Sequence, residues 1–173
     1  MLKNLSKLIG AFGLVIAFAN TSSAQTTATE TFTANATIVK PISISNKSTL
    51  EFGVIATSPA SGTVTIGTDG SRSAQNGAKI FGTTGSVAAA SFTVQGEGGY
   101  GYNITLPADG TVNLVGPAQS APMSINGFTC NATGVINATT GKEDAKVGAV
   151  LTVNANQSSG VYTGTFNVTV NYN

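Results

Sequence analysis

Gly96-Glu97-Gly98-Gly99-Tyr100-Gly101 has the glycine spacing of a dinucleotide-binding loop, whose backbone amides would cradle a pyrophosphate at the start of a helix. That chemistry needs a strand before the loop and a helix after it. Here strand-like alternation lies on both sides, with Phe92 and Val94 before it and Tyr102, Ile104 and Leu106 after. The expectation is a glycine-rich hairpin. Glu143 and Asp144 are adjacent, but neighbouring side chains on an extended or turning backbone diverge, so they read as a solvated turn and not as an acid–base pair. Glu30, Glu51, Asp69, Glu97 and Asp109 are scattered singly. With no His and one Cys, the chain can assemble neither a nucleophile with a His base nor a zinc cluster. The reading is a protein that is not an enzyme, without catalytic, cofactor or metal residues.

Composition narrows the class further. Only 9% of the 173 residues are charged, against about a quarter in ordinary domains. A formal net charge of +1 offers no basic surface for nucleic acid, and 41% hydrophobic residues argue against disorder. Cys130 has no partner, so the core must hold the domain together, and Cys130 itself reads as a small buried hydrophobe.

The elements that would position any site are strands. Phe32, Ala34, Ala36 and Ile38 alternate with polar residues, as do Tyr100, Tyr102, Ile104 and Leu106. Shorter β-prone runs recur at residues 50–55, 63–66, 111–115, 123–130 and 147–153, punctuated by turns such as Asp69-Gly70 and Pro107-Ala108-Asp109-Gly110. Many short strands at this spacing predict one all-β, antiparallel, immunoglobulin-like sandwich. Its expected core is Phe52, Ile66, Phe92, Val94, Ile104, Leu106, Leu114, Ile125, Leu151, Phe166 and Val168.

At the start, Lys3 and Lys7 precede the run Leu8 to Ala19, and Ser22-Ser23-Ala24 supplies small residues at the cleavage-determining positions. Residues 1–24 read as a secretory signal peptide, leaving residues 25–173 as a single exported domain without membrane insertion. At the other end, Tyr162, Phe166, Val168, Val170 and Tyr172 share one face while Thr163, Thr165, Asn167, Thr169 and Asn171 face the other way. Gly160 stands fourteenth from the end and Tyr172 is penultimate.

This C-terminal pattern resembles the chaperone-recognition motif of bacterial chaperone–usher pilins. Leu50-Glu51-Phe52-Gly53, Ser91 to Gly96, Val147 to Val153 and Gly160 to Tyr172 together resemble a family of secreted bacterial domains of unknown function, and also the pilin domains related to spore coat protein U. The resemblance implies a structural subunit of a surface fibre, passing through the periplasm with a chaperone and an outer-membrane usher and self-associating by donor-strand exchange. In that picture Gly160, Tyr162, Phe166, Val168, Val170 and Tyr172 form the edge beside the groove. Phe32, Ala34, Ala36 and Ile38 are the candidate donor, uncoupled from the domain by Pro41, or else the domain's own first strand; alternation does not choose between them. Many pilins carry a disulfide, which one Cys cannot make. The alternative function is a monomeric secreted or cell-surface domain that binds glycans or matrix without strand exchange.

Overall fold

The computed structural model describes residues 27–56, 58–81 and 85–173. The signal segment 1–24 lies outside them. The chain divides into two units, Met1–Ala36 and Thr37–Asn173. Of the first, residues 27–36 are described; they carry neither helix nor strand, and each is exposed.

The second unit is all-β and antiparallel, an incomplete immunoglobulin-like sandwich with no helix among the described residues. Its strands are β1 (Ser43–Ser45), β2 (Glu51–Phe52), β3 (Ile55–Ala56), β4 (Gly62–Ile66), β5 (Arg72–Asn76), β6 (Lys79–Ile80), β7 (Val87–Ala88), β8 (Ala90–Gln95), β9 (Tyr102–Thr105), β10 (Val112–Leu114), β11 (Met123–Cys130), β12 (Lys142–Val153) and β13 (Thr169–Tyr172). The large sheet runs β1-β8-β12-β11-β10, with β4 also on β12 and β5 on β4. Facing it is a ribbon of only two strands, β9 and β13, while β2–β7 and β3–β6 form small separate pairs.

β12 organises the large sheet. Its first half, up to Val147, pairs with β8, and from Ala149 onward it pairs with β4. Gly148 stands at the change of partner, where a Cβ would collide with the Ile66 carbonyl, so the bare backbone lets the two strands close up. The turn from β4 to β5 is set by Asp69, whose Oδ1 accepts from the Ser71 amide at 2.9 Å and the Ser71 hydroxyl at 2.6 Å, with Gly70 at φ +84°.

Two clusters fill the interior. The first is built on Val64, Ile66, Ile125, Leu151 and Val153, the second on Phe92, Val94, Tyr102, Ile136 and Val147. Of the expected core, Phe52, Ile66, Phe92, Val94, Ile125 and Leu151 are buried. Ile104, Leu106, Leu114, Phe166 and Val168 are only half-buried, because they lie on or beside the thin ribbon and the β10 edge. Cys130 is likewise half-buried.

Three local expectations are corrected. The glycine-rich stretch is not a hairpin: β8 lies in the large sheet and β9 in the ribbon, so Gly96 to Gly101 carries the chain between layers. Glu143 and Asp144 are not in a turn; they open β12, and only the divergence of their side chains follows the sequence reading. The alternation of Phe32 to Ile38 does not produce a strand with a buried face. Phe32 is 89% exposed and Ile38 95% exposed, and the first strand begins only at Ser43, beyond Pro41.

Candidate functional site

The C-terminal stretch was expected to act as one edge strand, and the structure divides it. Gly160, at φ +151°, packs where a Cβ would strike Pro117, and lies outside any strand. Tyr162 belongs to the first cluster; its hydroxyl donates to the Ser158 carbonyl at 2.9 Å and accepts from the Gln157 amide at 2.7 Å. Thr163 makes an isolated bridge to Val115, at the open side of β10. Phe166 crosses between clusters, its ring 5.1 Å from that of Phe128. Val168, Val170 and Tyr172 then face the second cluster, while Thr169 and Asn171 point outward. The sequence pattern located this apolar row correctly; it overstated the strand, which is hydrogen-bonded as such only from Thr169 to Tyr172.

The row is half-buried along its whole length, at Phe166, Val168, Val170 and Tyr172. One side of β13 pairs with β9, in the register Thr169↔Thr105 through Tyr172↔Tyr102, and its other side has no strand partner among the described residues. β1, which brings Ile42 and Ile44 to the same cluster, pairs among the described residues with β8 alone. Each layer therefore ends in an unpaired backbone edge beside the same apolar interior. Such edges carry unsatisfied N–H and C=O groups that template a further strand.

The opposite flank of the ribbon differs. There the Tyr102 amide donates to the Gly134 carbonyl at 2.8 Å and the Ile136 amide to the Tyr100 carbonyl at 3.0 Å, so the 134–136 segment already occupies the start of that edge. Beyond it a cleft of about 480 Å³ opens among Ile104, Leu106, Phe128, Cys130 and Ala132. A free edge of three residues, Asn103 to Thr105, is too short for an added strand of ordinary length.

Glu143 pins that flank, which sequence reasoning missed. Its carboxylate accepts from the Thr133 amide at 2.5 Å, the Thr133 hydroxyl at 2.8 Å and the Tyr102 hydroxyl at 2.7 Å. Partial burial acts to raise the Glu143 carboxyl, but these three donors outweigh it and hold it below the usual carboxylate range. Tyr102 shifts the other way: burial and its bond to the Glu143 carboxylate push the phenol well above its ordinary value. Both groups serve to hold the β11–β12 connection against β9. On the other face of β12, Asp144 accepts from the Thr93 hydroxyl at 2.6 Å, so the two acids never meet. Among the described residues no group of His, Cys, Asp and Glu could hold a metal ion.

Comparison with family models matches residues 42–172 to a domain of unknown function, DUF4402. The chain belongs to the DUF4402 family. Comparison with curated proteins and with solved structures gives no match. The DUF4402 match runs from Ile42, next to β1, to Tyr172 at the end of β13, so it takes in both unpaired edges. The candidate donor residues Phe32, Ala34, Ala36 and Ile38 precede the matched DUF4402 stretch.

Proposed function

We propose that this chain is a structural subunit of a bacterial surface fibre, resembling a pilin, in which Phe32 to Ile38 of one copy adds a strand between β1 and β13 of the next. The observation that carries the reading is the half-buried row Phe166, Val168, Val170 and Tyr172 beside an unpaired edge. The candidate donor complements it in length and pattern. Phe32 to Ile38 and Phe166 to Tyr172 are both seven-residue stretches with four apolar side chains on one face, spanning roughly 23 Å when extended. Burying Phe32 and Ile38 contributes about 3–6 kcal/mol gross, before the cost of ordering the segment. No charged side chain interrupts either stretch. Export by a signal peptide, and a periplasmic chaperone that covers the β13 edge until an usher delivers the next subunit, complete the proposal.

The test is assembly read on unboiled detergent gels alongside monomer stability. Phe32→Asp and Ile38→Asp are expected to abolish detergent-resistant ladders while leaving the monomer's unfolding midpoint unchanged, because both side chains are exposed in the free chain. Ladders that persist in both variants would overturn donation by this segment, and a monomer that ran without ladders in the wild type would favour the alternative of a free-standing secreted domain.

A further inference from the structure

The two unpaired edges meet at one end. There the Tyr172 hydroxyl donates to the Lys40 carbonyl at 2.8 Å and accepts from the Glu97 amide at 2.7 Å, while the Lys40 amide donates to the Glu97 carboxylate at 3.1 Å. Three bonds thus close a ring through the residue just before Pro41, the end of β8 and the end of β13. The local sequence makes room for it: a Cβ on Gly96 would collide with the Tyr172 hydroxyl, and the Tyr100 ring packs edge-on against Tyr172 at 6.2 Å. At the other end, Phe166 and Val168 lie outside any strand, and no backbone bond joins them to the β1 side among the described residues.

We infer that the Lys40–Glu97–Tyr172 ring is an end-stop that sets the register of the strand entering between β1 and β13. The inference rests on the strand-exchange reading above, with Phe32 to Ile38 of a second copy as the occupant. Alternation of apolar and polar residues cannot set register alone. A slip by one residue turns every side chain to the wrong face, but a slip by two restores the pattern. Ala34 and Ala36 are equivalent in size, which leaves the middle of the donor unable to resist such a slip. A crosslink between the two edges does resist it, because an incoming backbone cannot pass a point where the edges are already joined.

The probe is a synthetic peptide of residues 30–40 with a photoreactive benzoylphenylalanine replacing Phe32, bound to the mature chain and mapped by mass spectrometry after illumination. Wild type is expected to give crosslinks at one site. Tyr172→Phe keeps the ring and loses the hydroxyl; Glu97→Ala removes the carboxylate and leaves Tyr172 intact. Both are expected to bind the peptide within threefold of wild type and to give additional crosslinks displaced by two residues, more of them in Tyr172→Phe, which breaks both bonds from β13, than in Glu97→Ala, which breaks only the Lys40–Glu97 bond. A single unchanged site in both variants would overturn the end-stop while leaving strand addition standing. Absence of saturable peptide binding to wild type would overturn both. Loss of folding in one variant leaves the other to decide, since Tyr172→Phe breaks two bonds of the ring and Glu97→Ala breaks the third.

Discussion

The two halves of the interior are built from the same residue types and finished differently. The first cluster has eleven buried members and eight half-buried ones among the described residues; the second has seven and twelve. Val64, Ile66 and Leu151 of the first are at most 1% exposed. The second has Val94, Ile136 and Val147 fully buried, yet its whole C-terminal row remains half open. Hydrophobicity does not distinguish them. Strand supply does: one cluster is lined by four strands of the large sheet, β4, β10, β11 and β12, with Phe52 of β2, whereas the other lies between β1, β8 and the first half of β12 and a ribbon of two strands. Among the described residues the second interior is left half open, and it is this opening that the proposed strand exchange would fill.

The contrast is tested most severely by cavities. Leu151→Ala in the first cluster should lower the unfolding free energy by about 2–5 kcal/mol in urea titration, with or without assembly. Val168→Ala should cost about 1 kcal/mol in the monomer, because half of the side chain is already in water. Equal losses at the two positions would break the comparison.

Between these lies the Glu143 tie. Bonds from a charged acceptor are each worth about 1.5–3 kcal/mol when shielded, and partial exposure reduces the sum, so Glu143→Gln should cost about 1–2 kcal/mol at pH 7. The folded chain holds this carboxyl below its unfolded value, so its contribution is present above the unfolded pKa and is lost as pH falls through the lower folded one. The difference between wild type and Glu143→Gln should therefore disappear in unfolding curves recorded at acid pH. The smallest effect belongs to Phe32→Asp, expected within about 0.5 kcal/mol of wild type in the monomer, because the side chain is 89% exposed.

Alternation made the antiparallel all-β class legible, and it placed Phe166, Val168, Val170 and Tyr172 on one face, because a period of two survives whatever the strand pairs with. It could not say how completely that face is covered, since coverage depends on how many strands the opposite layer holds. Phe32 to Ile38 shows the limit most plainly: its pattern is that of a half-buried strand, yet Phe32 and Ile38 are exposed and the segment forms no strand. The Lys40–Glu97–Tyr172 ring was invisible for another reason. Each of its three bonds has one main-chain end, the Lys40 and Glu97 amides as donors and the Lys40 carbonyl as acceptor, groups that carry no side-chain signature. Gly96, which the sequence assigned to a hairpin, is the one side-chain signal of that crowding.

The change of partner along β12 has a mechanical meaning. One twelve-residue strand is bonded to β11 along one side and, in succession, to β8 and β4 along the other, so each cluster grips a different half of the same rod. Neither half can melt without loosening the backbone that the other depends on, which makes the domain a single cooperative unit and places the slowest-exchanging amides on β12. A pull along that strand loads both ladders in shear at once, and the weaker, half-open interior borrows the resistance of the closed one.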